Sequence, residues 1–197
     1  MLDIFIQAIG FVAIALNLLA VQFNKYHKII FFKTLGSALF ALQYFMIAFF
    51  YSDSAAYIGM FMDGVGIFRN IIFSQNIKNQ KSNKKAVIIF SIITFIVGLG
   101  SIIFAWNETV TKITFTNNQI LVTLIIIFIS ILAVVAKLIS TISYSIKNPH
   151  TIRMLNIPTC LCWLVYNAMV FSIAGVVNET MTLISVIIAE IRFKGKK

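Results

Sequence analysis

Asp63 has the most chemistry to offer. It stands about midway along the apolar stretch Ser54–Ile72, and Gly59, Gly66 and Asn70 fall on its helical face. A charged carboxylate in mid-membrane costs about 2.5–3.5 kcal/mol on insertion scales. Two readings account for such a residue. It lines a cavity, binding a solute or carrying a proton, or it is a paired or protonated acid that ties two helices together. Gln43 and Tyr44 lie in the preceding apolar stretch, and Tyr166 and Asn167 in a later one. Amides and phenols at matching depths suit a polar, uncharged ligand; they equally suit interhelical hydrogen bonds. Asn17 sits toward the end of its stretch, where packing is the plainer role. Trp163 offers a face for a ring-shaped ligand or a place in the core.

Near the ends of the stretches, Arg69, Glu190 and Arg192 are candidates for a gate or ion pair, against simple snorkelling to the interface. Lys137 is read as snorkelling. His27 and His150 are expected in turns, as a proton-linked gate or plain loop polarity. Cys160 and Cys162 are two apart on a helix and point to different sides, so no disulfide is expected. No metal is expected either, because no further ligands lie nearby. HExxH, G-x-S-x-G and Gly-rich phosphate loops are missing, and no second acid is placed to form a dyad with Asp63. The chain is therefore not expected to be an enzyme or to hold a cofactor.

The elements that must position these residues are membrane helices. Of 197 residues, 60% are hydrophobic and 11% charged, which is too little charge to solvate a soluble surface. Apolar runs of spanning length are Ile4–Gln22, Ile29–Phe50, Ser54–Ile72, Ala86–Trp106, Gln119–Ile142, Arg153–Ile173 and Val176–Phe193. The last has a short apolar core because of Asn178 and Glu179, which leaves six helices as the alternative count. MLDIF carries an acid where a signal peptide needs basic residues, so the first run is read as a retained helix. Pro158 either bends the sixth helix or marks its early turns.

The net charge of +10 does not point to nucleic acid. All lysines and arginines but Lys112 fall toward alternate ends of the runs, most of them in FNKYHK, FSQNIKNQKSNKK, SIKNPHTIR and the tail RFKGKK. The opposite ends carry Asp3, Asp53, Glu108 and Glu179, with two NET sequons at Asn107 and Asn178 read as plain polar loops. The positive-inside rule then sets the N-terminus outside and the C-terminus in the cytoplasm, with the lipid bilayer as partner.

The seven runs divide as three, one and three. Offset by 123 residues, His27 falls on His150 and Arg69 on Arg192, and the helix ends coincide. Identity across this offset is low, so the argument rests on segment lengths. Three crossings end on the side opposite their start. The single run Ala86–Trp106 returns the chain, so both triplets have the same orientation. The expected fold is all-α, a polytopic membrane protein of seven transmembrane helices in a 3+1+3 arrangement of two parallel three-helix bundles. The first bundle covers 1–75, the cytoplasmic loop and linker helix 76–116, and the second bundle with its basic tail 117–197. The linker is expected to contribute packing and orientation, without ligand contact.

The plan resembles the PQ-loop superfamily, which includes the SWEET sugar transporters. Within it, the chain is most similar to the YgjV-type bacterial inner-membrane proteins. The likeness is carried by ALQYFMIAFFYSDSAAYIGMFMDGVGIFRNIIF, with a short turn and a glycine-containing helix ending in Arg69-Asn70, and by WLVYN and Arg192 in the second half. No Pro-Gln pair occurs, and Pro149 and Pro158 are the only prolines. The resemblance implies a bacterial inner-membrane location and a small-solute transporter, facilitated or ion-coupled, with its polar site between the bundles. A non-transporting receptor or scaffold on the same plan is the alternative.

Overall fold

The computed structural model describes residues 2–51, 54–112, 119–169 and 173–193. Asp53 lies outside them, as do the side chains of Asn107, Glu108 and Lys112. Among the described residues there are seven helices and no strand: α1 Leu2–Val21, α2 Tyr26–Tyr51, α3 Ser54–Lys78, α4 Lys84–Lys112, α5 Gln119–Tyr144, α6 Pro149–Met169 and α7 Ile173–Phe193. By length and composition, Leu2–Val21 and Tyr26–Phe50 pass as bilayer-crossing helices.

Local chemistry sets the helix ends. α3 closes with the Lys81 amide on the Asn76 carbonyl and the Gln80 amide on that of Ile77, Gln80 taking φ 56°. This is a Schellman stop with glutamine in the left-handed position that glycine usually fills. Asn148 caps α6 by accepting the His150 amide through its side chain, and Pro149 follows where its missing N–H costs nothing.

The helices pack in chain order. α2 lies between α1 and α3, and α6 between α5 and α7. α3 also touches α5, and α7 touches α1. Six helices thus form a ring, α1-α2-α3-α5-α6-α7, with two joints between its halves. α4 packs on both α3 and α5 through a stripe of Phe90, Thr94 and Gly98, four residues apart. Its other faces leave Ile88, Ile92, Phe95, Ile96, Leu99 and Ile103 exposed. α4 therefore lies over the outside of the α3/α5 joint.

The tightest packing is at the basic end of the ring. Tyr26, Ile29, Ile30, Phe73, Phe90, Tyr144 and Ile152 form one buried cluster that draws in α2 through α6. Tyr26 donates its hydroxyl to the Tyr144 carbonyl at 2.8 Å, joining α2 to α5. The perimeter is apolar, with Phe11, Phe31, Phe61, Phe68, Ile187 and Ile191 among many exposed large side chains. Exposed apolar surface on this scale calls for a covering partner or lipid.

Within each half, close fit does the joining. A Cβ on Gly59 would come within 2.8 Å of the Tyr44 ring at Cγ, too near the ring's base for the tyrosine to swing aside cheaply. Gly59→Ala should therefore force α3 off α2 and destabilise the fold by about 1–3 kcal/mol. The measurement is the thermal midpoint of detergent-purified protein, and a wild-type midpoint would contradict this contact.

Candidate solute site and interhelical clasps

Asp63 does not stand alone. Lys137 of α5 donates to its Oδ1 at 3.3 Å, with the two side chains 23% and 14% exposed. Lys137 was expected to snorkel; instead it turns inward and joins the halves of the ring. Its ammonium also lies over the Trp163 ring of α6, 5.7 Å from the centroid. Trp163 in turn meets Tyr166 edge-on, with centroids 5.2 Å apart. Tyr44 stands in the electrostatic field of Asp63, Tyr166 and Glu179. One region thus collects Tyr44, Asp63, Lys137, Trp163, Tyr166 and Glu179 from α2, α3, α5, α6 and α7.

Three other candidates lie elsewhere. Gln43 packs against Gly10 of α1, Asn17 against Gly36 of α2, and Asn167 against Gly175 of α7. All three are amides seated on a glycine of the neighbouring helix, so their place is inside one half. Tyr44 is likewise seated on a glycine, Gly59 of α3, as its offset partner Asn167 is on Gly175.

Glu179 departs most from the sequence reading, which put it among the outer-end acids. It lies inside α7 and accepts a hydrogen bond from Asn178 Nδ2 at 3.1 Å. Cys160 is buried and Cys162 partly so; both are free thiols, as their spacing predicts. Among the described residues, no group of three potential ligands is placed to hold a metal ion.

Both joints are closed near the basic end by an arginine. Arg69 is 6% exposed and does not snorkel. Its Nη1 donates to Thr141 Oγ1 of α5 at 3.0 Å, its other nitrogens reach Asn70 Oδ1, and its guanidinium lies 5.0 Å from the Tyr144 ring centroid. At the other joint the arginine is Arg153, read from sequence as a loop cation at the end of the sixth run. It is 2% exposed, pairs through Nε with Glu190 Oε1, and donates from Nη1 to the Phe23 carbonyl at 3.1 Å. His150 Nδ1 lies 2.6 Å from the other Glu190 oxygen and donates to it, since a carboxylate only accepts. Gln22 Nε2 and Ser185 add α1–α7 bonds of 2.7 Å. Glu190 is thus an ion-pair residue, with Arg153 and His150 as partners. Arg192 is exposed at the end of α7 and takes no part in this pair. His27 Nδ1 lies 3.4 Å from Ser74 Oγ, and its ring meets Tyr26 edge-on with centroids 5.4 Å apart.

A model of the Imp-YgjV family of bacterial inner membrane proteins matches residues 4–197. The chain belongs to this family. No curated protein and no solved structure matches it. Inner-membrane residence gives the apolar perimeter its solvent and makes every inward charge costly unless paired.

Arg153 and Glu190 supply the sharpest stability test. Arg153→Met leaves Glu190 short of its cation, and breaking such a pair from one side costs about 3–5 kcal/mol when it is buried. Arg153→Met combined with Glu190→Gln should recover part of that loss, as read by thermal unfolding in detergent. Strict additivity of the two losses would show that the groups are not coupled.

Proposed function

We propose that the protein is a small polytopic transporter that passes a polar solute between two parallel three-helix bundles, α1–α3 and α5–α7, joined by the linker α4. On this reading all seven helices cross the membrane, the N-terminus is outside and the C-terminus cytoplasmic, and the chain belongs with the PQ-loop superfamily. The ring order supports the division into halves. An offset that carries α1 onto α5 and α3 onto α7 also carries the α3/α5 joint onto the α7/α1 joint.

The observation that carries the transport reading is the Asp63–Lys137 pair. It is an ion pair between the halves, away from the basic end, and still partly accessible. The Arg153–Glu190 and His150–Glu190 pairs join α6 to α7, whereas this pair joins α3 to α5 across the halves. A pair that breaks and re-forms as the halves rock must be reached by solute, water or a proton. The arginine clasps and the Tyr26–Tyr144 cluster shut the basic end below it, which is the arrangement of a carrier closed on its cytoplasmic side.

The test is uptake into proteoliposomes across a panel of neutral, anionic, cationic and zwitterionic solutes, with and without a proton gradient. Asp63→Asn should lower the initial rate by about tenfold or more, the kinetic equivalent of losing one charge-assisted contact, while the protein still reaches the membrane. Wild-type rates in that variant would remove Asp63 from the mechanism. No flux for any solute would favour the non-transporting receptor or scaffold.

A further inference from the structure

The ammonium of Lys137 occupies a place that two other helices define. On α3, Asp63 Oδ1 accepts from it at 3.3 Å. On α6, the Trp163 ring lies beneath it, 5.7 Å from the centroid. Trp163 is itself steadied by Tyr166, whose ring meets it edge-on with centroids 5.2 Å apart. A carboxylate attracts positive charge by its own charge, and an indole by the negative face of its ring. The lysine therefore reports what the place accepts, which is an ammonium group. Neither contact requires that group to be tied to α5. The place is also reachable: Trp163 is half-buried, and the Asp63 and Lys137 side chains keep part of their surface accessible.

Exchange with a solute has two forms. An anion on Lys137 would stand over the negative face of Trp163 and leave Asp63 without a cation. Asp63 is the shorter and less exposed of the pair and has no reach toward another partner. Lys137 is the more exposed, on a flexible four-carbon stem, and can follow the water that already reaches it. The lysine is the member that can leave. A cation that takes its place keeps Asp63 paired throughout. It also changes the joint, because a link fixed to α3 and α5 at both ends gives way to a group that is free to depart. A bare metal cation asks for several oxygen ligands, and among the described residues no group of three potential ligands is placed to hold one.

We propose that a small protonated amine takes the place of the Lys137 ammonium between Asp63 and Trp163, displacing the lysine. This names the solute class of the site, and it rests on the transport reading for the solute's passage though not for its binding.

The experiment is calorimetric titration of detergent-purified full-length protein, near neutral pH and at constant ionic strength, with butylamine, benzylamine and 1,4-diaminobutane. Butyrate, 1-butanol and potassium chloride serve as comparisons. At least one amine should bind the wild type about tenfold or more tighter than every comparison compound. Lys137→Met removes the tethered competitor and should tighten that binding about tenfold or more. Trp163→Leu should weaken it about fivefold, and Asp63→Asn should abolish it. A pair placed for structure alone gives a different result, since its own lysine keeps every amine out of the wild type. No amine binding by the wild type, or equal binding of butyrate, butanol or potassium, overturns the proposal without reference to a variant. Amine binding that Lys137→Met weakens or leaves unchanged overturns the displacement of the lysine. Uptake in proteoliposomes separates the two readings. Amine binding without flux sinks transport and keeps the site, whereas flux of uncharged or anionic solutes with no amine bound keeps transport and sinks the site.

Discussion

A charge inside an apolar helix bundle has to find its partner within the bundle. The outer surface here is isoleucine, phenylalanine and leucine, which offers a guanidinium nothing. Arg69 and Arg153 are accordingly almost fully buried, and each is satisfied by groups from other helices. That requirement fixes more than two side chains. It sets the rotation of α3 against α5, the approach of α6 to α7, and the position of the turn after α1 whose Phe23 carbonyl caps Arg153. Removing one partner strands a charge, which costs far more than the pair itself contributes. The ring closes where it does because both arginines are placed at its joints.

The joints are alike in plan and different in content. At α7/α1 the described polar contacts cluster at the basic end, through Gln22, Ser185, Arg153 and Glu190. The position offset-matched to Asp63 is Val186, which is fully buried. At α3/α5 there are two rungs on one seam, Arg69–Thr141 and, about 9 Å farther along α3 at 1.5 Å per residue, Asp63–Lys137. Lipid against that second rung would be costly. α4 covers it: Gly98 meets Val134 of α5 and Met62 of α3, the neighbours of Lys137 and Asp63. α4 thus does more than connect α3 to α5. Its stripe contributes packing, as its sequence suggested, and the packing shields the ion pair.

Apolar run lengths made the helices legible, because a helix of this kind announces itself by composition. Asp63 was legible for the same reason: a lone acid in such a run needs an explanation. Its partner was not. Lys137 lies close enough to the end of its run that snorkelling explains it equally well, and only the rotation of α5 decides between the two. Arg153 and Glu179 were missed because each sits near the end of a run, where sequence assigns charge to the loops. The polar neighbours Thr141 and Asn178 were too ordinary to mark them.

The contacts within and between the halves differ in their mix. Inside each half a side chain seated on a glycine recurs, Gln43 on Gly10, Asn17 on Gly36, Tyr44 on Gly59 and Asn167 on Gly175, beside the Arg153–Glu190 pair of α6 and α7. Such fits have no second register within reach, since a packed side chain must clear the neighbouring backbone before it can settle again. Between the halves apolar and polar contacts act together: the cluster of Tyr26, Ile29, Ile30, Phe73, Tyr144 and Ile152 sits beside the Arg69–Thr141, Asp63–Lys137 and Arg153–Phe23 contacts. α4 is fitted to both sides of the α3/α5 seam: Gly98 abuts Val134 of α5, and Phe90 packs edge-on against Phe73 of α3 with centroids 5.8 Å apart, so the linker is anchored to both halves beside the Asp63–Lys137 rung.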